Sequence, residues 1–291
     1  MSVWMITGAS RGFGAEIVRT ALASGYDVVA TARDPRTVEA RFPDAGDALL
    51  ALPLDVTDEG QAHAAVAAAT ERFGGIDVVV NNAGRGLLGA VEEVSDAAAR
   101  AVYDTNVFGT LNVLRAVLPG MRERRSGHIV NISSVGGFTA SAGWGVYAST
   151  KFAVEGLSEA LAAEVAPLGI TVTVVEPGLF RTDFLDGSSL HTEPNVIHDY
   201  AATAGGTRTG AVDRNHAQPG DPAKAARVIV DLGGSERAPL RIQLGADSVA
   251  RVEEKLRFAL DELETWRKVA TSTDHDDVTN GPGTNGPGTN G

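Results

Sequence analysis

The sequence contains no cysteine, which excludes both a disulfide framework and a thiolate metal site. Its six histidines show neither the HExxH pattern nor another close ligand spacing, so we expect no bound metal. No apolar run approaches the ~18 residues of a transmembrane helix, and the amino terminus shows no export signal. We therefore expect a cytoplasmic protein with no membrane partner.

Positive charge is also scarce, because 25 Lys and Arg residues stand against 37 Asp and Glu residues. The resulting net charge of −12 argues against nucleic acid or an anionic membrane as the main partner. A local basic pocket for a phosphate group is still compatible with this balance. The apolar fraction of 43% is sufficient for a substantial core.

Strands alternate with helices along most of the chain, a pattern typical of a parallel sheet covered on both faces. We predict a single α/β domain over residues 1–270 with seven parallel strands. The predicted strands span residues 3–6, 27–32, 48–54, 76–80, 128–132, 171–175 and 240–244.

Three segments do not belong to this alternation. Residues 179–219 are polar and aperiodic, and an irregular insertion of this length in a compact domain is typical of a lid over a substrate site. Residues 247–270 are predicted to form a charged amphipathic helix. Residues 271–291 repeat TNGPG, cannot bury a core, and are predicted to be a disordered tail.

A glycine-rich turn follows the first strand and precedes a helix, the context that gives such a turn functional meaning. Gly8 permits the tight turn, Gly12 lets a backbone approach a pyrophosphate, and Gly14 allows close packing of helix on strand. The phosphates would then lie at the helix amino terminus. A purely structural turn is the alternative. Further candidate contacts in this turn are Ser10, Arg11 and Phe13.

The end of the second strand indicates which dinucleotide is preferred. An NAD site places an acidic residue about 20 positions past the glycines, but this strand ends in Ala32 and Arg33. Arg33 and Arg11 together could bind a 2′-phosphate, which suits guanidinium groups. We therefore predict NADPH or NADP, with NAD less favoured. Asp34 keeps the NAD alternative open, and the arginines could also be ordinary surface residues.

Residues 133–151 contain the candidate catalytic groups. Tyr147 and Lys151 are four residues apart and share one face of a predicted helix. An ammonium beside a phenol lowers the phenol pKa from its usual ~10. Ser134 ends the preceding strand, where its hydroxyl can bind a substrate oxygen. The three side chains describe an acid/base site for a carbonyl or alcohol. An incidental Tyr and Lys pair is the alternative.

Other candidate residues follow further strands, whose carboxyl ends line the ligand crevice of a parallel sheet. They are Asp55, Val56, Asn82, Ala83, Gly84, Pro177 and Gly178. Asn106 lies within a long predicted helix, where asparagine disturbs the backbone hydrogen bonds. The sequence leaves two readings of Asn106, a tolerated surface residue or the holder of a water near the site.

These motifs, in this order and spacing, resemble those of the short-chain dehydrogenase/reductase family in its single-domain form. The resemblance covers residues 3–245, and the helix and tail beyond extend past the family's usual end. It implies a Rossmann-type, doubly wound fold. The matching motifs are Thr7-Gly8-x3-Gly12-x-Gly14, Asp55-Val56, Asn81-Asn82-Ala83-Gly84, Asn106, Ser134, Tyr147-x3-Lys151 and Pro177-Gly178-x3-Thr182.

The resemblance also implies a role for each site residue. Tyr147 would give a proton to the carbonyl oxygen, and Ser134 would bind that oxygen. Lys151 would hold the nicotinamide ribose and lower the Tyr147 pKa. Asn106 would keep a water of a proton relay, and Thr182 would contact the nicotinamide carboxamide. Family members pack through the helices carrying Asn106 and Tyr147, which implies a homodimer or homotetramer.

We expect an NADPH-dependent reductase of ketones or aldehydes, or an alcohol dehydrogenase. An oxidative NAD enzyme and a non-catalytic nucleotide sensor on the same fold are the alternatives. The predicted substrate is a small, apolar or aromatic carbonyl or alcohol compound. The residues expected to face it are Leu87, Leu88, Val135, Phe138, Trp144, Leu179, Phe180 and part of the segment 183–215.

Overall fold

The coordinates are a computed structural model that describes residues 2–235 and 237–275. The strands are β1 (Val3–Ile6), β2 (Asp27–Ala32), β3 (Leu49–Pro53), β4 (Val78–Asn81), β5 (Gly86–Leu88), β6 (Gly127–Ile132), β7 (Ile170–Pro177), β8 (Leu190–Thr192) and β9 (Arg241–Leu244). The α-helices are α1 (Gly12–Ala23), α2 (Arg36–Glu39), α3 (Glu59–Phe73), α4 (Asp96–Tyr103), α5 (Gly109–Arg124), α6 (Gly145–Val165), α7 (Gly206–Arg214), α8 (Pro222–Gly233) and α9 (Ala246–Thr271).

Seven strands form one parallel sheet in the order β3-β2-β1-β4-β6-β7-β9. The direction of strand order reverses between β1 and β4, where Trp4 lies opposite both Val28 and Val78. A crevice opens outside the carboxyl ends of the strands at such a reversal, and ligands bind there in open α/β sheets. The predicted Rossmann-type, seven-stranded sheet is confirmed.

Both faces of the sheet are buried, as the alternation along β1 illustrates. Trp4 and Ile6 pack into one apolar cluster with residues of α1 and α8. Val3 and Met5 point to the opposite face and join a second cluster with residues of α3 and α5. Successive strand residues face opposite sides, so a strand covered on both sides must be apolar throughout. This explains the continuous apolar runs seen in the sequence.

Local sequence determines several helix ends. The Asp58 carboxylate accepts a hydrogen bond from the backbone N–H of Gln61 at 3.1 Å, which caps α3. Asp221 caps α8 in the same way through Ala223 N–H at 2.9 Å. The long helix predicted around Asn106 is present, but a π-helical turn, Asp104–Phe108, joins α4 to α5.

The segment 179–219 is more regular than the sequence predicts. Strand β8 pairs with β5, with Gly86 opposite Leu190 and Leu88 opposite Thr192, and α7 follows. The prediction of an irregular segment is therefore wrong for these parts. A three-residue strand is too short to show a period, and its partner lies far away in the sequence.

The compact unit that contains the sheet extends to Val252, and a second unit begins at Glu253. The described part of the second unit comprises the rest of α9 and a short turn. The predicted domain limit at residue 270 falls in the last turn of α9. Of the predicted tail, residues 276–291 lie outside the described residues. Within the described residues, none of the helices has both the length and the apolar character that crossing a bilayer requires.

Candidate active site

A cavity of about 720 Å³ opens at the carboxyl ends of β1, β4, β6 and β7. Most of the predicted site residues line it, although they come from distant parts of the chain. They are Gly8, Ser10, Arg11, Gly12, Phe13, Arg33, Asp55, Val56, Asn82, Ala83, Gly84, Ser134, Tyr147, Lys151, Pro177, Gly178 and Thr182. Two predicted residues, Gly14 and Asn106, do not line the cavity.

The turn after β1 is fixed by the end of β4. The Asn82 side-chain amide donates hydrogen bonds to the carbonyl oxygens of Thr7 at 2.8 Å and Gly8 at 3.2 Å. The Thr7 hydroxyl accepts from the backbone N–H groups of Asn82 and Ala83, each at 3.0 Å. Gly8 has a φ of 65°, and a Cβ there would lie 3.0 Å from Ala83 Cα. The turn is therefore rigid and requires glycine at this position.

The amino terminus of α1 faces the cavity with its first N–H groups free of a side-chain cap. Arg11 is the capping residue, and its side chain makes no capping hydrogen bond. Unsatisfied N–H groups at a helix amino terminus suit a pyrophosphate. Gly14 lies beneath the turn, where a Cβ would overlap the Gly8 carbonyl oxygen and the Asn82 side chain. Gly14 thus allows close packing rather than ligand contact.

The end of β2 presents the basic side chain of Arg33 to the cavity, while the carboxylate of the neighbouring Asp34 is paired with Arg36. Arg33 is exposed and lines the cavity. The Asp34 carboxylate accepts hydrogen bonds from Arg36 Nε at 2.9 Å and Arg36 Nη2 at 2.8 Å. The Arg36 guanidinium lowers the pKa of Asp34. Arg11 Nη2 donates to the Ser188 carbonyl oxygen and to Ser189 Oγ, at 2.8 and 2.9 Å.

The candidate catalytic side chains lie between the end of β6 and the first turns of α6. Ser134 Oγ accepts a hydrogen bond from the backbone N–H of Gly136 at 3.0 Å. Lys151 Nζ donates to the Ile132 carbonyl oxygen at 2.8 Å and lies 6.0 Å from the centroid of the Tyr147 ring. Tyr147 and Lys151 are both buried, each with 7% of its surface exposed.

Burial dominates the electrostatics of this group. Burial raises the pKa of Tyr147 to about 12, and the Ser134 hydroxyl opposes this rise only in part. Burial lowers the pKa of Lys151 to about 8, and the negative charge of Glu155 opposes this shift. Burial therefore sets the direction of the Tyr147 shift, and the predicted net lowering of this pKa is wrong for this structure. Tyr147 is a neutral phenol that holds its proton at neutral pH.

Asn106 is buried in the π-helical turn, which excludes the surface reading of this residue. Its side-chain oxygen accepts from the backbone N–H of Arg85 at 2.9 Å, and its amide nitrogen donates to the Arg85 carbonyl at 3.0 Å and to Thr150 Oγ1 at 3.0 Å. A Cβ on Gly84 would lie 3.3 Å from Asn106 Oδ1 and 3.7 Å from Lys151 Nζ. Asn106 therefore fixes the chain just behind the loop that faces Lys151.

Aromatic side chains form the wall beside Tyr147. The ring centroids of Trp144 and Phe184 each lie 5.6 Å from that of Tyr147. Val135, Leu179 and Phe180 also line the cavity, as predicted, whereas Leu87, Leu88 and Phe138 do not. Leu87 and Leu88 are core residues, each 2% exposed. An apolar side chain next to a site motif can equally belong to the core, which explains these errors.

Two polar residues of α9 were not predicted: Asp247 contacts residues of the cavity wall, and Arg251 lines the cavity itself. Asp247 Oδ2 accepts from the backbone N–H of Leu179 at 2.8 Å, and a Cβ on Gly178 would overlap the Asp247 carboxylate. Arg251 lines the cavity and donates to Ser141 Oγ at 2.9 Å. Their spacing of four residues on one helix face is the available sequence signal, but charged surface helices show it equally.

A buried carboxylate anchors the segment after β8. Glu93 accepts hydrogen bonds from the backbone N–H groups of Ala90 at 2.6 Å and Ile197 at 2.8 Å, and it pairs with Arg208. The Arg208 guanidinium, with these N–H groups, lowers the pKa of Glu93 to about 2. Glu93 is therefore charged at neutral pH and holds two distant points of the segment 179–219.

The fold and the cavity define a class of protein. This class has a Rossmann-like sheet, a cleft of the kind that binds dinucleotides, and a group of Ser, Tyr and Lys side chains in that cleft, here Ser134, Tyr147 and Lys151. A family model described as short chain dehydrogenase matches residues 2–192. Oxidoreductase BOA17 of Botryotinia fuckeliana is 38% identical over 272 residues, covering 93% of this chain and 98% of that protein. Retinol dehydrogenase 8 of Homo sapiens is 39% identical over 260 residues, covering 82% of this chain and 80% of that protein.

Solved structures of short-chain dehydrogenases are also similar to this chain. A short-chain dehydrogenase from Streptomyces avermitilis is 43% identical, with a TM-score of 0.85, covering 94% of this chain and all of that chain. ElxO with NADP bound is 25% identical, with a TM-score of 0.71 and coverages of 86% and 99%. A Burkholderia phymatum short-chain dehydrogenase/reductase in complex with NAD is 25% identical, with a TM-score of 0.78 and coverages of 90% and 95%.

The chain belongs to the short-chain dehydrogenase/reductase family. It is an oxidoreductase of the kind that acts on alcohol and carbonyl groups.

Proposed function

We propose that this protein is a cytoplasmic, NADPH-dependent reductase of small ketones or aldehydes, which can also run as an alcohol dehydrogenase. The observation that carries the proposal is the convergence of Ser134, Tyr147 and Lys151 in one cleft, with Tyr147 held protonated by burial. A phenol that retains its proton is suited to donate it to a carbonyl oxygen as that oxygen gains negative charge.

In the proposed reaction, Ser134 Oγ binds the carbonyl oxygen and Tyr147 gives that oxygen its proton. NADPH held in this cleft would supply the hydride for the carbonyl carbon, and the product would be an alcohol. The Lys151 ammonium would hold the ribose hydroxyls and would stabilise the negative charge left on Tyr147. Thr182 would contact the carboxamide of the nicotinamide, and Asn106 would act from behind the cavity by fixing the backbone of Arg85.

Three further parts of the cleft would hold the cofactor. The free N–H groups of α1 fit the pyrophosphate, and Gly12 and Phe13 lie at that helix start. Asp55 and Val56 at the end of β3 would contact the adenine, and Asn82 to Gly84 would contact the adjoining ribose. Pro177 and Gly178 would lie against the nicotinamide. All of these residues line the same cavity.

The preference for NADPH rests on three side chains. Arg33 lies at the cavity edge, where a 2′-phosphate would meet its guanidinium. Arg11 at the turn beside it would exchange its hydrogen bonds with Ser188 and Ser189 for the phosphate. Asp34, the residue that would bind an NAD ribose, is held by Arg36 instead. The alternative of an oxidative NAD enzyme requires that Asp34 leave this ion pair.

The test compares kcat/KM for NADPH and NADH on one carbonyl substrate. We expect a preference for NADPH of roughly 10²-fold, equivalent to about 2.7 kcal/mol. The double change Ala32→Asp with Arg33→Gln should move the preference toward NADH. Arg36→Gln, which releases Asp34, should shift it in the same direction by less. Arg41→Gln removes an exposed arginine that does not line the cavity and serves as the control. Equal use of both cofactors by the wild type would contradict the 2′-phosphate site.

Apolar surface supports the proposed substrate class and the proposed assembly. Trp144 and Phe184 beside Tyr147 favour an aromatic or apolar carbonyl compound over a sugar. Phe108 and Phe152 on the helices next to the site are 53% and 45% exposed, which supports a homodimer or homotetramer packed through these helices.

A further inference from the structure

The outer part of α9 carries an apolar stripe that the proposed function does not explain. The stripe consists of Leu256, Ala259, Leu263, Trp266 and Ala270, whose spacings alternate strictly between three and four residues. This is the a and d pattern of a heptad repeat, which places all five side chains along one seam of a helix. We call these five residues the α9 stripe.

The α9 stripe is exposed. Leu256, Leu263 and Trp266 have 47, 53 and 60% of their surface accessible, and both alanines are exposed as well. Leu260 and Val269, which flank the seam, are 64 and 59% exposed. A helix of a globular protein turns such a seam toward a core or a partner. Since these side chains remain accessible, the seam is available to a partner outside the chain.

We propose that the α9 stripe pairs with the same stripe of a second copy of this chain, as an antiparallel two-helix coiled coil. A regular heptad seam is the pattern by which helices pair with one another. The charges of residues 253–271 disfavour an anionic membrane, because four basic side chains stand against five acidic ones. Helices that bind such membranes have basic polar faces.

Residue volumes along the seam favour the antiparallel direction. In a parallel pair, identical positions meet, so Ala259 faces Ala259 and Trp266 faces Trp266. One layer would then be nearly empty and another overfilled, and both situations are costly. In the antiparallel register centred near Asp261, Leu263 faces Ala259 of the second copy and Leu256 faces its Trp266. The layers are then more even in volume.

Charge complementarity agrees with this register. The residues that flank the seam on one side are Glu253, Leu260 and Arg267. In the antiparallel register, Glu253 of each copy lies beside Arg267 of the other, and the two Leu260 side chains meet near the two-fold axis. Such flanking ion pairs set the orientation of coiled coils. Arg267 already contacts Glu264 of its own helix at 2.9 Å, so it would be shared between two carboxylates.

The first test measures native mass by light scattering during size-exclusion chromatography. The double change Leu256→Glu with Leu263→Glu should halve the mass, whether or not the family-type interface through α5 and α6 also forms. The control is Lys268→Glu, which makes a negative change on the opposite helix face and should leave the mass unchanged. Circular dichroism of each variant reports whether α9 stays helical. If the wild type and the stripe variant have the same mass, the proposal is overturned, and this readout is independent of catalysis.

The second test uses the absence of cysteine in the chain, which removes background reaction. Glu253→Cys and Arg267→Cys proteins are mixed and treated with a short bismaleimide. The antiparallel register predicts a covalent dimer of one with the other, and little self-linking of either. Positions 253 and 267 are separated by 14 residues, about 21 Å along a helix. Self-linking of the Glu253→Cys protein alone would show a parallel pair and contradict the register. A monomeric wild type that binds lipid vesicles would overturn the pairing itself.

Discussion

At the scale of single residues, the burial of Tyr147 and Lys151 shapes the chemistry. Taking a phenol and an ammonium out of water favours the neutral form of each, so the Tyr147 pKa rises while the Lys151 pKa falls. The site therefore begins with a protonated acid, the state needed for carbonyl reduction. The Ser134 hydroxyl opposes part of the rise in the Tyr147 pKa, and both side chains line the same cavity.

Tyr147→Phe tests the assignment of the acid. The change removes one oxygen from a buried ring, so the fold and NADPH binding should be nearly unaffected. The rate of carbonyl reduction should fall by about 10²–10⁴-fold, the usual contribution of a general acid. The measurement is kcat together with the Kd for NADPH. Turnover within a few-fold of the wild type would show that another group supplies the proton.

The Lys151 pKa predicts how the rate depends on pH. Burial lowers this pKa from 10.5 to about 8, so the ammonium is present below about pH 8 and is lost above it. Tyr147 keeps its proton over the same range. We expect kcat/KM for reduction to fall as the pH rises through 8. In Lys151→Arg, whose guanidinium stays charged, the remaining activity should not show this fall. A flat wild-type profile up to about pH 10 would refute the role of the ammonium.

Sequence reasoning at the residue scale worked where the cause is local. The glycine turn after β1 follows from the local strand-turn-helix pattern, and Gly8 has the φ of 65° that the predicted tight turn requires. The pKa of Tyr147 depends instead on how deeply the ring is buried. The buried position of Asn106 is explained by its hydrogen bonds with Arg85 and Thr150. Neither burial nor these distant partners can be read from spacing.

At the scale of elements, the segment 179–219 has two unequal parts. Its first part, to residue 189, lines the cavity and is tied to the glycine turn through Arg11. Its later part pairs with β5 through β8 and is held by Glu93. The sequence predicted one lid over the whole segment. Because these contacts hold the later part, we expect closure over a ligand to involve the first part rather than the whole segment.

Hydrogen exchange tests this division. We expect amides of 183–189 to gain protection when NADPH and an inhibitor bind, because this stretch would close over them. Amides of 190–208 should exchange at the same rate in both states. Glu93→Gln removes the charge that holds the later part, so exchange there should become faster in the free protein. Equal protection across the whole of 179–219 would favour the single lid, and no change anywhere would contradict closure.

At the scale of the whole molecule, the sequence was sufficient to predict the seven-stranded parallel sheet. Seven apolar strands, each ended by turn residues, predict a parallel sheet, and the strand-end motifs predict one crevice along its carboxyl edge. The pairing of β5 with β8 could not be predicted, because it joins two three-residue strands that are far apart in the chain. The hydrogen bonds of Asp247 with Leu179 and of Arg251 with Ser141 could not be predicted for the same reason, because they also join residues far apart in the chain.

The central claim is that hydride passes from NADPH to a carbonyl carbon within this cleft while Tyr147 protonates the oxygen. The most direct measurement uses NADPH deuterated at the transferring position of the nicotinamide, a panel of aromatic and aliphatic ketones and aldehydes, and mass spectrometry of the alcohols. The wild type should give alcohol that is one mass unit heavier, and Tyr147→Phe should give far less of it. The absence of labelled alcohol from every carbonyl compound, or equal amounts from the two proteins, would contradict the account.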